Sequence, residues 1–166
     1  MYYQAILTYI FKMIIVSACL AGCECRYDGK SNEVPEIKKL VLENKAIALC
    51  PEELGGLSTP RIPCEIVKVN NEVKVIGRDK NDYTAQFTKG AEIFTNVAKA
   101  LNCKTVILKA NSPSCGYGKI YDGSFTGKYR KGNGFTAEKL FDLNISILNE
   151  TNFNDFFKEE SELQSD

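Results

Sequence analysis

The sequence predicts an α/β fold: a mostly parallel sheet with flanking helices and a small β-hairpin excursion. Three observations carry that expectation. Short β-branched runs (Ile14-Ile15-Val16-Ser17-Ala18, Ala46-Ile47-Ala48-Leu49 and Thr105-Val106-Ile107-Leu108-Lys109) recur along the chain. They alternate with segments of helical period, the signature of βα units. Each of the three runs also gives way to a loop that carries a cysteine: Cys19, Cys50 and Cys115. In a parallel sheet the loops at the carboxyl ends of the strands line one crevice, and ligands collect there.

The elements follow in order. The first strand ends near Cys19 and runs into Gly22-Cys23-Glu24-Cys25-Arg26-Tyr27-Asp28-Gly29, which reads as a loop. Residues 35–43 place Ile37, Leu40 and Val41 at helical spacing, with Pro35 in the first turn. The second strand delivers Cys50-Pro51-Glu52-Glu53, followed by a Gly- and Pro-rich loop to Pro63. Residues 65–69 and 72–76 alternate about Asn70-Asn71, a hairpin signal beside the main sheet. From Asp82 the pattern turns helical: Phe87, Ala91, Phe94, Ala98 and Leu101 form one stripe, with Asp82 or Thr84 able to cap. After the third cysteine-bearing strand comes a long loop, residues 111–134, without a strong period, the kind that serves function. A short helix at 136–142, a strand at 145–148 and a terminal helix from Phe153 complete the chain. Three thiolates at one edge are one short of the usual four for an iron–sulfur cluster, which would leave one iron free for chemistry.

Bulk properties narrow the chemistry further. At 166 residues one core is the default, and a formal net charge of zero points to neither a nucleic-acid nor a membrane partner. The chain has no histidine, so histidine triads and histidine-ligated metal sites are excluded within it. Acid–base work falls to carboxylates, Lys, Tyr, Cys or water. Seven unevenly spaced cysteines argue against a closed disulfide framework and for a reducing, cytoplasmic setting or a metal. Residues 2–20 are nearly uncharged, and Leu20-Ala21-Gly22-Cys23 resembles a lipoprotein cleavage box. The only charge, Lys12, lies inside that stretch rather than before it, and cleavage would discard Cys19. The simpler expectation is translation from Met13, with residues 1–12 an upstream extension and 13–166 a single α/β domain.

Three blocks stand out. They are Ser17-Ala18-Cys19-Leu20 with Arg26-Tyr27-Asp28-Gly29; Cys50-Pro51-Glu52 with Gly55-Gly56-Leu57 and Thr59-Pro60-Arg61; and Ser112-Pro113-Ser114-Cys115-Gly116 with Ile120-Tyr121-Asp122-Gly123. In this order they closely resemble the bacterial thiouracil desulfidase (TudS) family, over residues from about 13 to 150. The resemblance implies a Rossmann-like fold and a 4Fe–4S cluster held by Cys19, Cys50 and Cys115. It also implies an enzyme that converts 2-thiouracil to uracil and sulfide, with a small thiolated pyrimidine as substrate. Cys25 occupies a slot where some relatives carry cysteine, so the ligand set does not need it. Ser58 replaces a common Pro, and Cys64 a usual small residue.

Bland readings stand beside these. A single strand-end cysteine is ordinarily a small buried hydrophobe; three at equivalent positions are not. Cys23, Cys64 and Cys103 read as loop or core thiols, although Cys23 and Cys25 lie close enough to Cys19 to offer a fourth ligand. Glu52, directly after a cysteine, is the favoured catalytic carboxylate over Glu53. Asp28 and Asp122 are first of all turn residues, and Asp28 is carried as a catalytic candidate. Arg26 and Arg61 either bind an anionic or carbonyl group or neutralise nearby charge. Ser112 and Ser114 shape their loop, and their hydroxyls could reach a pyrimidine carbonyl.

The resulting expectation is a non-redox desulfidase. Substrate sulfur binds the open iron, Glu52 activates water, and the Ser112-containing loop stabilises charge on the ring. Two alternatives use the same cysteines: a sulfur transferase, and a structural zinc or redox-sensing module with Cys25 as fourth ligand.

Overall fold

The computed structural model describes residues 13–155 and 157–158; the expected extension, residues 1–12, lies outside the described residues, as does the end of the expected terminal helix. In chain order the elements are β1 (Ile14–Ser17), a 3₁₀ turn (Ala18–Ala21), α1 (Pro35–Leu42), β2 (Ala46–Leu49) and α2 (Pro51–Leu54). Then come β3 (Cys64–Val69), β4 (Glu72–Gly77), α3 (Thr84–Ala100), β5 (Thr105–Leu108), β6 (Lys119–Tyr121), β7 (Tyr129–Lys131), α4 (Phe135–Phe141) and β8 (Ser146–Asn149).

Four of these strands form one sheet in the order β2-β1-β5-β8, and every pairing is parallel. β1 is central, pairing Val16 with Ala48 on one side and with Ile107 on the other. Its residues alternate between two cores, which is why the strands read as continuous apolar runs. Ile14 and Val16 join Ile37 of α1, Ile107 and Phe153 on one face. Ile15 joins Phe94 and Ala98 of α3, Val106, Leu108 and Leu140 of α4 on the other. The chain leaves β1 toward β2 by way of α1, then returns by way of α3 to β5 on the opposite side of β1. The topological switch point therefore falls between β1 and β5, and the crevice outside their carboxyl ends is where such sheets bind ligands.

Two antiparallel pairs flank this sheet: β3 with β4, and β6 with β7. In the first, Asn70 and Asn71 turn at φ 51° and 65°, the left-handed geometry that tight hairpins demand and asparagine tolerates. A third core unites the excursions with the body, through Ile66, Val75, Phe87 of α3 and Ile120. At the start of α3 it is Asp82 that accepts the Thr84 N–H, at 2.9 Å, while the Thr84 hydroxyl accepts from Val75 N–H and ties the helix to β4.

Two segments depart from the sequence expectation. The segment after Cys50 is not loop from the outset: Pro51–Leu54 makes one helical turn. Pro51 presets the first helical position and Glu52 and Glu53 sit in the first turn, where acidic groups favour the helix dipole. One turn is too short to show a period. The long loop after β5 likewise contains β6 and β7, each of three residues. Their register is marked by Tyr121 against Tyr129, rings 4.9 Å apart.

α2 lies on α3 at a separation that only glycine allows. A Cβ on Gly90 would stand 1.9 Å from the Pro51 carbonyl oxygen, and one on Gly55 2.1 Å from the Gln86 oxygen. Gly90→Ala must therefore push α2 away from α3. A loss of about 1–3 kcal/mol is expected, read as a lower urea midpoint at unchanged m value. A midpoint matching the unsubstituted protein would contradict this contact.

Candidate functional site

A cavity of about 300 Å³ opens at the carboxyl edge of the parallel sheet, and Cys19, Cys25, Cys50 and Cys115 all line it. Each arrives on a different piece of backbone. Cys19 sits in the 3₁₀ turn directly after β1. Cys50 is the cap residue between β2 and α2. Cys115 lies in the loop after β5, which is pinned to the start of α4: Phe135 and Thr136 N–H donate to the Pro113 and Ser114 carbonyls at 3.0 and 2.9 Å. The three sequence-predicted cysteines thus face one space from three separate strand ends.

Ser17, the last residue of β1, fastens the arrangement. Its hydroxyl accepts the Lys109 N–H at 2.9 Å and donates to the Cys115 sulfur at 3.3 Å. One side chain thereby joins the ends of the two central strands to a thiol. Ser17 belongs to the first sequence block, where nothing assigns it a role; a polar residue closing a buried strand is the signal for one.

Cys25 is more central than expected. Its sulfur, that of Cys50 and a Glu53 oxygen lie within 4.8 Å of one another. The Cys50 thiol donates to the Cys25 carbonyl at 3.8 Å. Contact with Cys19 foremost pushes the Cys25 thiol up to about 12, although Cys50 works in the opposite direction. Its neighbour Cys25, and then burial, push Cys50 above the ordinary thiol range. Burial first of all raises Cys115 to about 12, against a lowering contribution from Ser17. Crowded, desolvated thiols resist ionisation because a second negative charge nearby, with no water to screen it, is costly. Such thiols ionise readily once a metal meets them. Sulfur donors select soft or borderline metals, zinc or iron in a cluster, over magnesium or calcium.

Glu52 is held at the cavity wall by two partners. Arg61 Nε donates to one carboxylate oxygen at 2.7 Å and the Ser114 hydroxyl to the other at 3.2 Å. Arg61 reaches further: Nη2 donates to the Cys25 carbonyl at 2.8 Å and Nη1 to the Thr59 hydroxyl at 2.9 Å. Burial pulls the Arg61 ionisation down, but Glu52 beside it wins and holds the guanidinium above its usual range. Arg61 is therefore a neutralising and bracing residue, one of the two roles its sequence context allowed.

The remaining candidates divide. The Ser112 hydroxyl accepts the Cys115 N–H at 2.8 Å, and Ser112 lines the cavity. Ser114 is buried behind Glu52. Asp28 accepts the Lys30 N–H in its own turn and pairs with Arg26 at 3.1 Å, and Arg26 in turn lines the cavity. Cys23 is exposed and Cys103 buried, neither among the residues lining the cavity; Cys64 lines it as well. Lys109 pairs with Glu150, whose other oxygen accepts the Ala110 N–H at 2.9 Å.

Taken together, fold and site define a Rossmann-like α/β protein with thiols gathered at the switch point of the sheet. Residues 14–152 match the family described as 2-thiouracil desulfurase, and the chain belongs to that enzyme family. It is 44% identical over 149 residues to the uncharacterized protein YbbK of Bacillus subtilis (strain 168), covering 86% of this chain and 99% of that one. A solved 4Fe-4S-dependent thiouracil desulfidase, TudS, superposes with a TM-score of 0.82 at 38% identity, covering 90% of this chain and 98% of its own. The family expectation drawn from the three sequence blocks and the Rossmann-like fold expectation are both borne out.

The Glu52–Arg61 pair is mostly shielded from water, with side-chain exposures of 15% and 7%. Arg61→Met leaves that carboxylate without its cation, and a loss of about 3–5 kcal/mol is expected in denaturant unfolding. Combining it with Glu52→Gln should cost clearly less than the two single changes added together; strict additivity would show that the pair does not act as a unit.

Proposed function

We propose that the protein is an iron–sulfur-dependent desulfidase that converts 2-thiouracil-like pyrimidines and water to the oxo base and hydrogen sulfide. The observation that carries this reading is the convergence of Cys19, Cys50 and Cys115 from three strand ends on one cavity whose wall also holds Glu52. The donor set fits a 4Fe–4S cluster: three thiols from independent segments face a common space, and thiolate sulfur is the donor such clusters take. Cys19, Cys50 and Cys115 would hold the cluster, which when bound would supply a thiophilic Lewis acid for the thiocarbonyl sulfur.

The protein's own residues supply the rest. Glu52 takes a proton from the water that attacks the ring carbon and returns it to the departing sulfur; the second proton of that water leaves as its hydroxyl becomes the carbonyl and completes hydrogen sulfide. Arg61 and Ser114 each occupy one oxygen of Glu52, fixing the carboxylate plane while a further lone pair on each oxygen stays available. Ser112, with its oxygen already accepting from Cys115 N–H, keeps its O–H to donate to a ring carbonyl. Asp28 steadies Arg26 at the cavity wall. No electron is gained or lost by the substrate, so the reaction needs no external reductant.

A sulfur transferase would use the same cavity and differ only in needing an acceptor. A closed zinc site with Cys25 as fourth ligand would leave no free position, which sits poorly with an enzyme family whose substrates carry sulfur. All seven cysteines are free thiols, which supports a reducing compartment such as the cytoplasm. Among the described residues no helix is long and apolar enough to cross a membrane.

Anaerobic reconstitution with iron and sulfide should give brown protein that releases sulfide from 2-thiouracil without an added acceptor. Cys19→Ala, Cys50→Ala and Cys115→Ala should each abolish both colour and release, whereas Cys25→Ala should keep the iron. Activity surviving in any two of the first three would refute the ligand set. Glu52→Gln should retain the visible absorption and lose about 10²- to 10⁴-fold in turnover; unchanged turnover would move the base elsewhere.

A further inference from the structure

Residues 122–128 link β6 to β7, and within this link Phe125 and Gly127 reach the lining of the cavity. Phe125 holds φ at 58°. A bulky residue rarely adopts a left-handed conformation, and such strain persists only where the surroundings impose it. Here the imposing group is Glu65 of β3, 8% exposed. One of its carboxylate oxygens accepts both the Gly123 N–H at 2.9 Å and the Phe125 N–H at 3.0 Å. Gly123 lies so close to β3 that a Cβ there would meet the Ile66 oxygen at 3.0 Å. From the other hairpin strand's end, the Arg78 guanidinium lies 5.7 Å from the centre of the Phe125 ring.

A buried carboxylate is costly to desolvate unless its lone pairs are satisfied. Glu65 meets that need with loop amides rather than with a cation, so its burial and the shape of the loop depend on each other. From this we infer that Phe125 is a specificity-determining residue, its ring forming the flat face against which a planar heterocycle stacks. Glu65 is the positioning residue that holds that ring over the cavity. The inference rests on the desulfidase reading for the identity of the substrate, and it adds where the selectivity for a planar ring resides. Tyr27 and Tyr121 line the cavity as well, but Tyr121 packs on Tyr129 and Tyr27 is 44% exposed, whereas Phe125 sits on a loop whose shape Glu65 fixes.

The test uses the reconstituted holoenzyme under anaerobic conditions. Steady-state desulfuration of 2-thiouracil is paired with calorimetric binding of 2-thiouracil and with amide exchange across residues 122–128. Phe125→Ala and Phe125→Leu should each raise KM and weaken binding roughly 5- to 100-fold, the range that loss of one base–aromatic stack produces, with kcat within about twofold. Phe125→Tyr, which keeps the ring, should behave as the unsubstituted enzyme. Glu65→Ala should raise KM similarly and speed amide exchange in the loop, whereas Glu65→Gln, which retains an acceptor oxygen, should restore both. A normal KM in Phe125→Ala, or a loss confined to kcat, would overturn the inference, as would unchanged loop exchange in Glu65→Ala. Should the unsubstituted enzyme bind 2-thiouracil yet release no sulfide, the desulfidase reading falls while the binding and exchange results still decide the role of Phe125. No binding at all would sink both.

Discussion

Bringing several sulfur atoms into one desolvated space is the constraint around which the molecule is organised. Cys25, Cys50 and Cys115 are harder to ionise there because of their neighbours and their burial. The protein can sustain the arrangement only if rigid backbone forces it, since three cysteines on mobile loops would move apart and hydrate. A parallel sheet provides that rigidity. β1 lies between β2 and β5, so the residues following three adjacent strands emerge side by side. Ser17 then locks β1 to the backbone after β5 and to Cys115. The topology and the chemistry are one fact seen at two scales.

Electrostatics around the thiols follow the same economy. Glu52 would add another negative charge to a space already poised to become anionic, and Arg61 offsets it at 2.7 Å. The same guanidinium reaches the Cys25 carbonyl and Thr59, so one cation braces the segments on both sides of the cavity. Arginine suits this because its planar fork can serve several acceptors at once without losing its charge. α2 in turn holds Glu52 in place by lying against α3 through Gly55 and Gly90. The Glu52 carboxylate is thus positioned by a helix contact on one side and by an ion pair on the other.

How much of this was legible in the sequence depends on range. The parallel strands declared themselves through apolar runs buried on both faces, and the β3–β4 hairpin through alternation about two asparagines. The three cysteines were found because each ends such a run, a local signal with a topological meaning. α2, β6 and β7 were not legible: they are too short to carry a period and, unlike the four-residue parallel strands, have no continuous apolar run, so tertiary contacts rather than propensity hold them. Long-range pairings were hidden for a related reason. Ser114 with Glu52, Glu65 with the Gly123 and Phe125 amides, and Cys25 with Cys50 join residues far apart in the chain, and no spacing rule relates them. Asp28 was legible as a turn residue, and its pairing with Arg26 gives it an indirect connection to the cavity.

The antiparallel excursions explain what the parallel sheet alone could not provide. A switch-point crevice is open to solvent on the side away from the strands, and its donors are the thiols, amides and hydroxyls of loop ends. Those groups can hold sulfur, a carbonyl and a proton, but a planar ring also needs its faces covered if water is to be kept from the reacting carbon. β3 and β4 contribute Glu65 and the neighbouring Arg78, β6 and β7 carry the loop that bears Phe125, and Ile66 and Ile120 bury the contact between the two hairpins. Excluding water also strengthens every charge interaction inside the cavity, the Glu52–Arg61 pair among them. The hairpins therefore bear on the site without contributing any of the three strand-end cysteines: Glu65, Tyr121 and, through the β6–β7 link, Phe125 wall the cavity at the carboxyl edge of the sheet.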